Sequence, residues 1–146
     1  MYQRQNSLKI FVPYLREKSR FRFLIEKLTE LNVNEIHIGM TKNTQNTNYS
    51  KPKIKEWLVS ALEQSGSAYL PELFFPENIN FNDFSTCFDI SGETFEKNVK
   101  KLNNFAIGPE GGWTDEELSK FKYKIKISEF SLRTETAAIT AVSLMM

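Results

Sequence analysis

Two short stretches hold residues whose types and spacing suit chemistry. The first runs Ile107-Gly108-Pro109-Glu110-Gly111-Gly112-Trp113 and leads into Thr114-Asp115-Glu116-Glu117. Three glycines let a backbone approach a ligand closely, and Pro109 stiffens the turn. Thr114 with Glu117 has the spacing of a capping box that opens a helix. The loop is therefore anchored at both ends and presents backbone N–H and C=O groups. A tight strand-to-helix turn would use the same glycines. Glu110 inside the turn argues for a site, because a merely solvated loop needs no charge there. The stretch is neither a P-loop nor a dinucleotide fingerprint, since no Gly-Lys-Ser/Thr follows and G-x-G-x-x-G is absent. A carboxylate in this position repels phosphate and suits a cationic or hydroxyl-bearing ligand.

The second stretch is Leu132-Arg133-Thr134-Glu135-Thr136-Ala137-Ala138. Thr134 reads as a helix N-cap, and Glu135 suits the positive end of a helix dipole. Those roles do not account for Arg133, a cation at a helix start. There it can bind RNA phosphate or stabilise a developing anion.

The elements that must position these stretches follow from periodicity. Residues 8–12 read as a buried strand. Phe21, Leu24, Ile25, Leu28 and Leu31 fall on one face of a helix over 18–31, with Asn32 as its stop. Residues 35–40 alternate, with Ile36, Ile38 and Met40 on one side of a strand. Residues 41–50 are polar and aperiodic, which predicts a flexible surface loop. A second helix carries Ile54, Trp57, Leu58, Ala61 and Leu62 on one face, with Pro52 in its first turn and an end near Gly66. Residues 71–86 show no clear pattern. Further strands are expected at 86–90, 104–108 and 123–127, with a charged connection over 92–101 and a helix over 134–146. Strands alternating with helices predict an α/β fold with a mostly parallel sheet flanked by helices. Ligands in such sheets bind at the carboxyl ends of the strands, here after Ile90, Ile107 and Ile127.

The whole chain narrows the function classes. Its 146 residues suit a single domain. Hydrophobic residues make up 40% and aromatics 13%, with twelve Phe, which excludes a disordered chain. One Cys and one His exclude an internal disulfide and leave too few soft ligands for structural zinc, so no metal is expected. Cys87 reads as a small core residue and His37 as a structural one. No apolar run approaches the ~18 residues of a membrane span, and residues 1–10 lack the apolar stretch of a signal peptide. The cytoplasm is the expected compartment, with no membrane partner. A net charge of +1 excludes bulk electrostatic coating of nucleic acid and leaves room for a local basic patch. Arg16, Lys18, Arg20 and Arg22 cluster before the first helix. Lys51, Lys53 and Lys55 cluster before the second.

Both site stretches together resemble the ribosomal RNA small-subunit methyltransferase E family, a member of the SPOUT class of RNA methyltransferases. Two upstream segments resemble it in order and spacing. They are Glu26-Lys27-x-x-Glu30-Leu31-Asn32-Val33, and Ala61-x-Glu63-Gln64-Ser65-Gly66 followed by Pro71-Glu72-Leu73. The resemblance spans about residues 8–146. It implies an S-adenosylmethionine-dependent enzyme that methylates N3 of a uridine in small-subunit (16S) ribosomal RNA. It also implies a C-terminal trefoil knot and a homodimer.

Three loops would hold the cofactor. The first contributes Ile90, Ser91 and Gly92. The second contributes Ile107, Gly108, Pro109, Glu110, Gly111 and Gly112. The third contributes Ile127, Leu132, Arg133 and Thr134. The implied chemistry requires loss of the N3 proton and a target base that is unpaired or flipped out. Arg133 would stabilise the uridine anion or a nearby phosphate, and Glu110 or Glu135 would orient the site or accept a proton.

The sequence departs from the family pattern at several points. The family's N-terminal RNA-binding domain of PUA type has no counterpart in residues 1–146, which read as one methyltransferase domain. Ser67 replaces an arginine, and Thr44–Tyr49 replaces a basic loop, preceded by Lys42. Ser128-Glu129-Phe130 replaces a Gly-x-Arg. Phe88-Asp89-Ile90-Ser91-Gly92 lacks the usual His-Pro. The glycine and backbone elements for the cofactor survive better than the RNA contacts. An active methyltransferase is the leading expectation. The alternative is a catalytically silent dimer of the same fold that binds RNA or ribosome-assembly partners.

Overall fold

The computed structural model describes residues 7–45, 49–66, 69–95 and 102–145. Its elements are β1 (Lys9–Pro13), α1 (Lys18–Glu30), β2 (Glu35–Gly39), α2 (Lys51–Ser65), β3 (Glu72–Phe74), β4 (Thr86–Thr94), β5 (Asn104–Ile107), α3 (Asp115–Lys120), β6 (Tyr123–Lys126) and α4 (Thr134–Met145). The six strands form one sheet in the order β3-β2-β1-β5-β4-β6, and every pairing is parallel. All carboxyl ends of the strands therefore share one edge, where ligands gather in open α/β sheets.

Both faces of the sheet are covered, as parallel strands require. Along β1 the side chains alternate: Ile10 and Val12 join a larger core, while Phe11 joins a smaller one. The larger core is filled by the apolar faces of α1, α2 and α4, including Phe21, Leu24, Trp57, Leu58, Ala138 and Val142. The smaller core holds Phe84, Cys87, Trp113 and Phe121. Cys87 is buried, and that burial pushes its thiol up to about 12.

The helix ends match their chemistry. Asn32, just past α1, takes a left-handed φ of 63°, and Gly66 ends α2 at φ 70°. Ser50 caps α2 by accepting a hydrogen bond from Lys53 N at 3.2 Å.

One expectation, a structural His37, holds, and three need correcting. The strand at 35–40 is covered on both sides: His37 is buried and stacks on Phe74 at 4.5 Å. Desolvation lowers the His37 pKa, which favours the neutral ring. The polar stretch after β2 is not a free loop through residue 45. Thr41 and Thr44 are buried, and Thr41 N donates to Thr44 Oγ1 at 3.0 Å. Residues 46–48 and Ser67 lie outside the described residues, as do 96–101 of the charged connection. The strand at 86–90 continues to Thr94, with a register shift against β6 between Phe88 and Glu93. Finally, Thr134 is the first residue of α4 rather than its cap. The Arg133 carbonyl accepts from Ala137 N at 2.9 Å, and the Thr134 hydroxyl donates elsewhere.

Candidate functional site

A cavity of about 240 Å³ opens at the carboxyl ends of β4, β5 and β6. One wall is the glycine loop, Gly108 to Trp113. A second is the segment from Ile127 to Leu132, completed by Thr134 and Ala137 at the start of α4. Phe88, Asp89 and Ile90 form the third side.

The glycine loop is held from every direction. Gly112 N donates to Pro109 O at 2.8 Å, closing the turn, and Gly112 takes φ 78°, which favours glycine. Thr114 and Glu117 form the expected capping box. Thr114 N donates to Glu117 Oε1 at 2.9 Å, and Glu117 N donates to Thr114 Oγ1 at 3.1 Å. The other Glu117 oxygen accepts from Lys42 N at 3.1 Å, tying the loop after β2 to the base of the site. Asn43 Nδ2 donates to the carbonyls of Gly111 and Gly112 at 3.1 and 3.0 Å. Thr134 Oγ1 donates to Gly108 O at 3.0 Å.

Glycine at 108 and 111 is a packing requirement. A Cβ at 108 would stand 2.8 Å from Trp113 Nε1, and one at 111 would stand 3.0 Å from Asn43 Cβ. Trp113 Nε1 is itself buried without a hydrogen-bond partner.

Arg20 organises the charges. Its Nε donates to Glu135 Oε2 at 2.7 Å and its Nη2 to Glu135 Oε1 at 2.9 Å. The same guanidinium pairs with Glu110. A residue of α1 thus locks the glycine loop to the start of α4, across 90 residues of sequence to Glu110 and 115 to Glu135. Hydrogen bonds to both carboxylates raise the Arg20 pKa, so its charge is permanent.

The sequence-selected residues divide in space. Ile90, Ile107, Gly108, Pro109, Glu110, Gly111, Gly112, Ile127, Leu132 and Thr134 line the cavity. Ser91 and Gly92 do not. They lie in the extension of β4, and a Gly92 Cβ would stand 2.5 Å from the carbonyl carbon of Lys124. Arg133 is exposed beside the cavity rather than in its wall, and makes no ion pair among the described residues. Glu135 is buried, and both its oxygens already accept from Arg20. That arrangement suits orientation.

Sequence reasoning missed Arg20, Asn43 and Asp89 as site residues. Arg20 carried a signal: it stands one helical turn before Leu24, so it is a cation bordering the apolar face of α1. Asn43 carried none, because its partners are carbonyls that sequence cannot locate. Among the described residues, no group of three or more His, Cys, Asp or Glu could hold a metal ion, and no helix is long and apolar enough to cross a membrane.

Comparison with known proteins adds independent findings. A family model described as an RNA methyltransferase domain matches residues 3–146. The chain is 29% identical over 155 residues to the ribosomal RNA small subunit methyltransferase E of Mesomycoplasma hyopneumoniae, covering 92% of this chain and 67% of that protein. A methyltransferase structure from Legionella pneumophila, solved with S-adenosylmethionine bound, superposes with a TM-score of 0.78 at 27% identity, over 97% of this chain and 67% of that one. The ribosomal RNA small subunit methyltransferase E of Neisseria gonorrhoeae, also bound to S-adenosylmethionine, superposes at 0.79 with 22% identity, over 95% of this chain and 65% of that one. The chain spans about two thirds of the length of these relatives.

Proposed function

The chain belongs to the RNA methyltransferase domain family, and from that premise we propose that it is an S-adenosylmethionine-dependent ribosomal RNA methyltransferase acting at N3 of a small-subunit uridine. The observation that carries this reading is the prebuilt glycine wall at the carboxyl edge of the sheet.

The donor set fits the cofactor. Phe88, Ile107, Ile127 and Leu132 supply apolar surface for an adenine ring. The glycine loop supplies backbone groups at close approach, packed so tightly that a Cβ at 108 would meet Trp113 and one at 111 would meet Asn43. Asp89 lines the cavity with its Oδ2 accepting from Ser91 N and Oγ, and its other oxygen suits ribose hydroxyls or an amino group. When bound, S-adenosylmethionine supplies an electrophilic methyl group.

The protein's own residues then have distinct roles. Arg20 fixes Glu110 and Glu135, and with them the spacing between the glycine wall and α4. Arg133, exposed and unpaired among the described residues, is the cation available to a uridine anion or its phosphate. Its position beside the cavity suits the RNA rather than the cofactor. Glu135 is held by Arg20 through both oxygens, so the N3 proton leaves to water at the open mouth or to Glu110, which lines the cavity and pairs with Arg20 through one oxygen. The reading includes a homodimer and a knotted C-terminal segment. The latter is supported by α4 returning past the glycine loop to pack on α1, with Thr134 bonded to Gly108.

A silent RNA-binding reading has one specific observation in its favour. Phe130, where the family pattern places an arginine, is 79% exposed on the cavity rim.

Calorimetry with S-adenosylmethionine, followed by methyl transfer to ribosomal RNA, tests both readings. Binding that Gly111→Val abolishes, with transfer that Arg133→Ala slows, is the expected result. Absence of binding by the wild-type chain overturns the enzyme reading. Binding without transfer favours the silent one.

A further inference from the structure

The topology brings together cations that the sequence scatters. Because every strand is parallel, the segments after β1, β2 and β3 reach the same edge as the glycine loop after β5. Arg16 and Lys18 follow β1, Lys42 follows β2, and Lys51 and Lys55 open α2. Tyr49 Oη joins two of these stretches by donating to Leu15 O at 2.8 Å and to Arg16 O at 3.1 Å.

Several neighbouring cations are already committed. Arg20 holds Glu135 and Glu110, Arg22 holds Glu26 at 2.6 Å, and Lys53 holds Glu56 at 3.4 Å. Arg16, Lys18, Lys42, Lys51 and Lys55 make no ion pair among the described residues. The first turn of α2 has no acidic residue, so its lysines work against the helix dipole.

Lys51 and Lys55 border a groove of about 590 Å³ between the start of α2 and the end of β3, with Phe75 in its lining. Lys51 Nζ stands 5.3 Å from the Phe75 ring centroid, while the Phe74 ring stacks on His37 on the other face of the sheet. Glu72 is the one carboxylate in the lining. Cations beside an aromatic ring match the way single-stranded nucleic acid is held, with phosphates on cations and bases on rings. The core of a protein interface is instead depleted in lysine.

We propose that this groove binds the single-stranded RNA flanking the target nucleotide, with phosphates on Lys51 and Lys55 and a base against Phe75. The proposal rests on the RNA methyltransferase reading and adds a second subsite to it. The groove lies three strand spacings from β5, roughly 14 Å at ~4.8 Å per strand, which a few nucleotides span. Lys42 and Asn43 lie on the path between.

Fluorescence anisotropy of the full chain with labelled oligouridylates of about four and about ten nucleotides tests this. Lys51→Gln with Lys55→Gln should weaken the longer probe about tenfold and leave the shorter one nearly unchanged. It should also reduce the log–log salt slope by about 1.4, the share of two phosphates on a single strand. Lys27→Gln with Lys122→Gln, equal in charge and at the opposite edge, should change neither quantity. Calorimetry with S-adenosylmethionine should be unaffected by the groove variant. A failure of the methyltransferase reading is therefore seen separately, as loss of cofactor binding by the wild type. Equal affinities and salt slopes for groove and control variants overturn the proposal and leave a protein as the groove's occupant. No binding of either oligouridylate by the wild type overturns it as well.

Discussion

The two longest walls of the cavity are built in opposite ways. The glycine wall, Gly108 to Trp113, is held by Asn43, Thr134 and Arg20, and by the capping box that follows it. The facing wall, Ile127 to Leu132, has little beyond its own contacts. Phe130 N donates to Ser128 Oγ at 3.1 Å, and Lys126 pairs with Glu129 at 3.1 Å at the surface. A ligand that meets the first wall finds it already organised. One that meets the second must supply the contacts that order it, and that ordering reduces the net affinity. The site therefore divides its work, with backbone recognition on the rigid side and adjustable closure on the other.

The largest expected effect comes from removing the clamp that separates the two walls. Arg20→Met would leave Glu135 buried without its guanidinium. Stripping one partner from such a pair costs about 3 kcal/mol, the low end for buried pairs because Arg20 is partly solvated. Chemical denaturation should show that loss, and adding Glu135→Gln should recover most of it. Should the single variant unfold at the wild-type denaturant midpoint, the clamp does not fix the glycine wall.

A smaller effect is expected inside that wall. Gly108→Ala drives a methyl group toward Trp113 Nε1, 2.8 Å away. Overpacking of this kind costs about 2 kcal/mol when the neighbour is itself packed, as Trp113 is against Phe121 at 4.9 Å. The shift would also move Gly108 O, the acceptor of Thr134, so S-adenosylmethionine affinity by calorimetry should fall about tenfold. Wild-type affinity in this variant would mean that the glycine wall is as adaptable as its counterpart.

The same contrast explains what the sequence made legible. Strand positions, helix faces and the capping box follow from local period and local side-chain chemistry, so α1, α2, β5 and Thr114–Glu117 are readable from neighbours in the chain. The glycine loop is readable as a loop because glycine types and spacing are local as well. Its rigidity is not, because the groups that confer it come from distant segments. Asn43 lies 68 residues from Gly111, and Arg20 lies 115 from Glu135. The polar run after β2 looks like solvent-exposed loop for the same reason, since its structural role is to meet Glu117. Ser91 and Gly92 went astray through a different cause. The ladder partners of β4 lie in β6, and only that pairing places the register shift between Phe88 and Glu93.

The smallest expected effect lies on the facing wall and bears most directly on its function. Phe130 is a large apolar side chain left 79% exposed at the cavity rim. With so little of it buried, Phe130→Ala should alter unfolding stability by less than about 0.5 kcal/mol. Its effect should appear only with ligand present. If the wall closes by laying Phe130 over a bound molecule, the variant should bind S-adenosylmethionine or an oligouridylate a few-fold more weakly, with dissociation faster and association unchanged. Stopped-flow measurement of both rates separates this from a change in preorganisation, which would slow association instead. A stability loss above about 1 kcal/mol would show that Phe130 is packed before any ligand arrives, making the two walls alike.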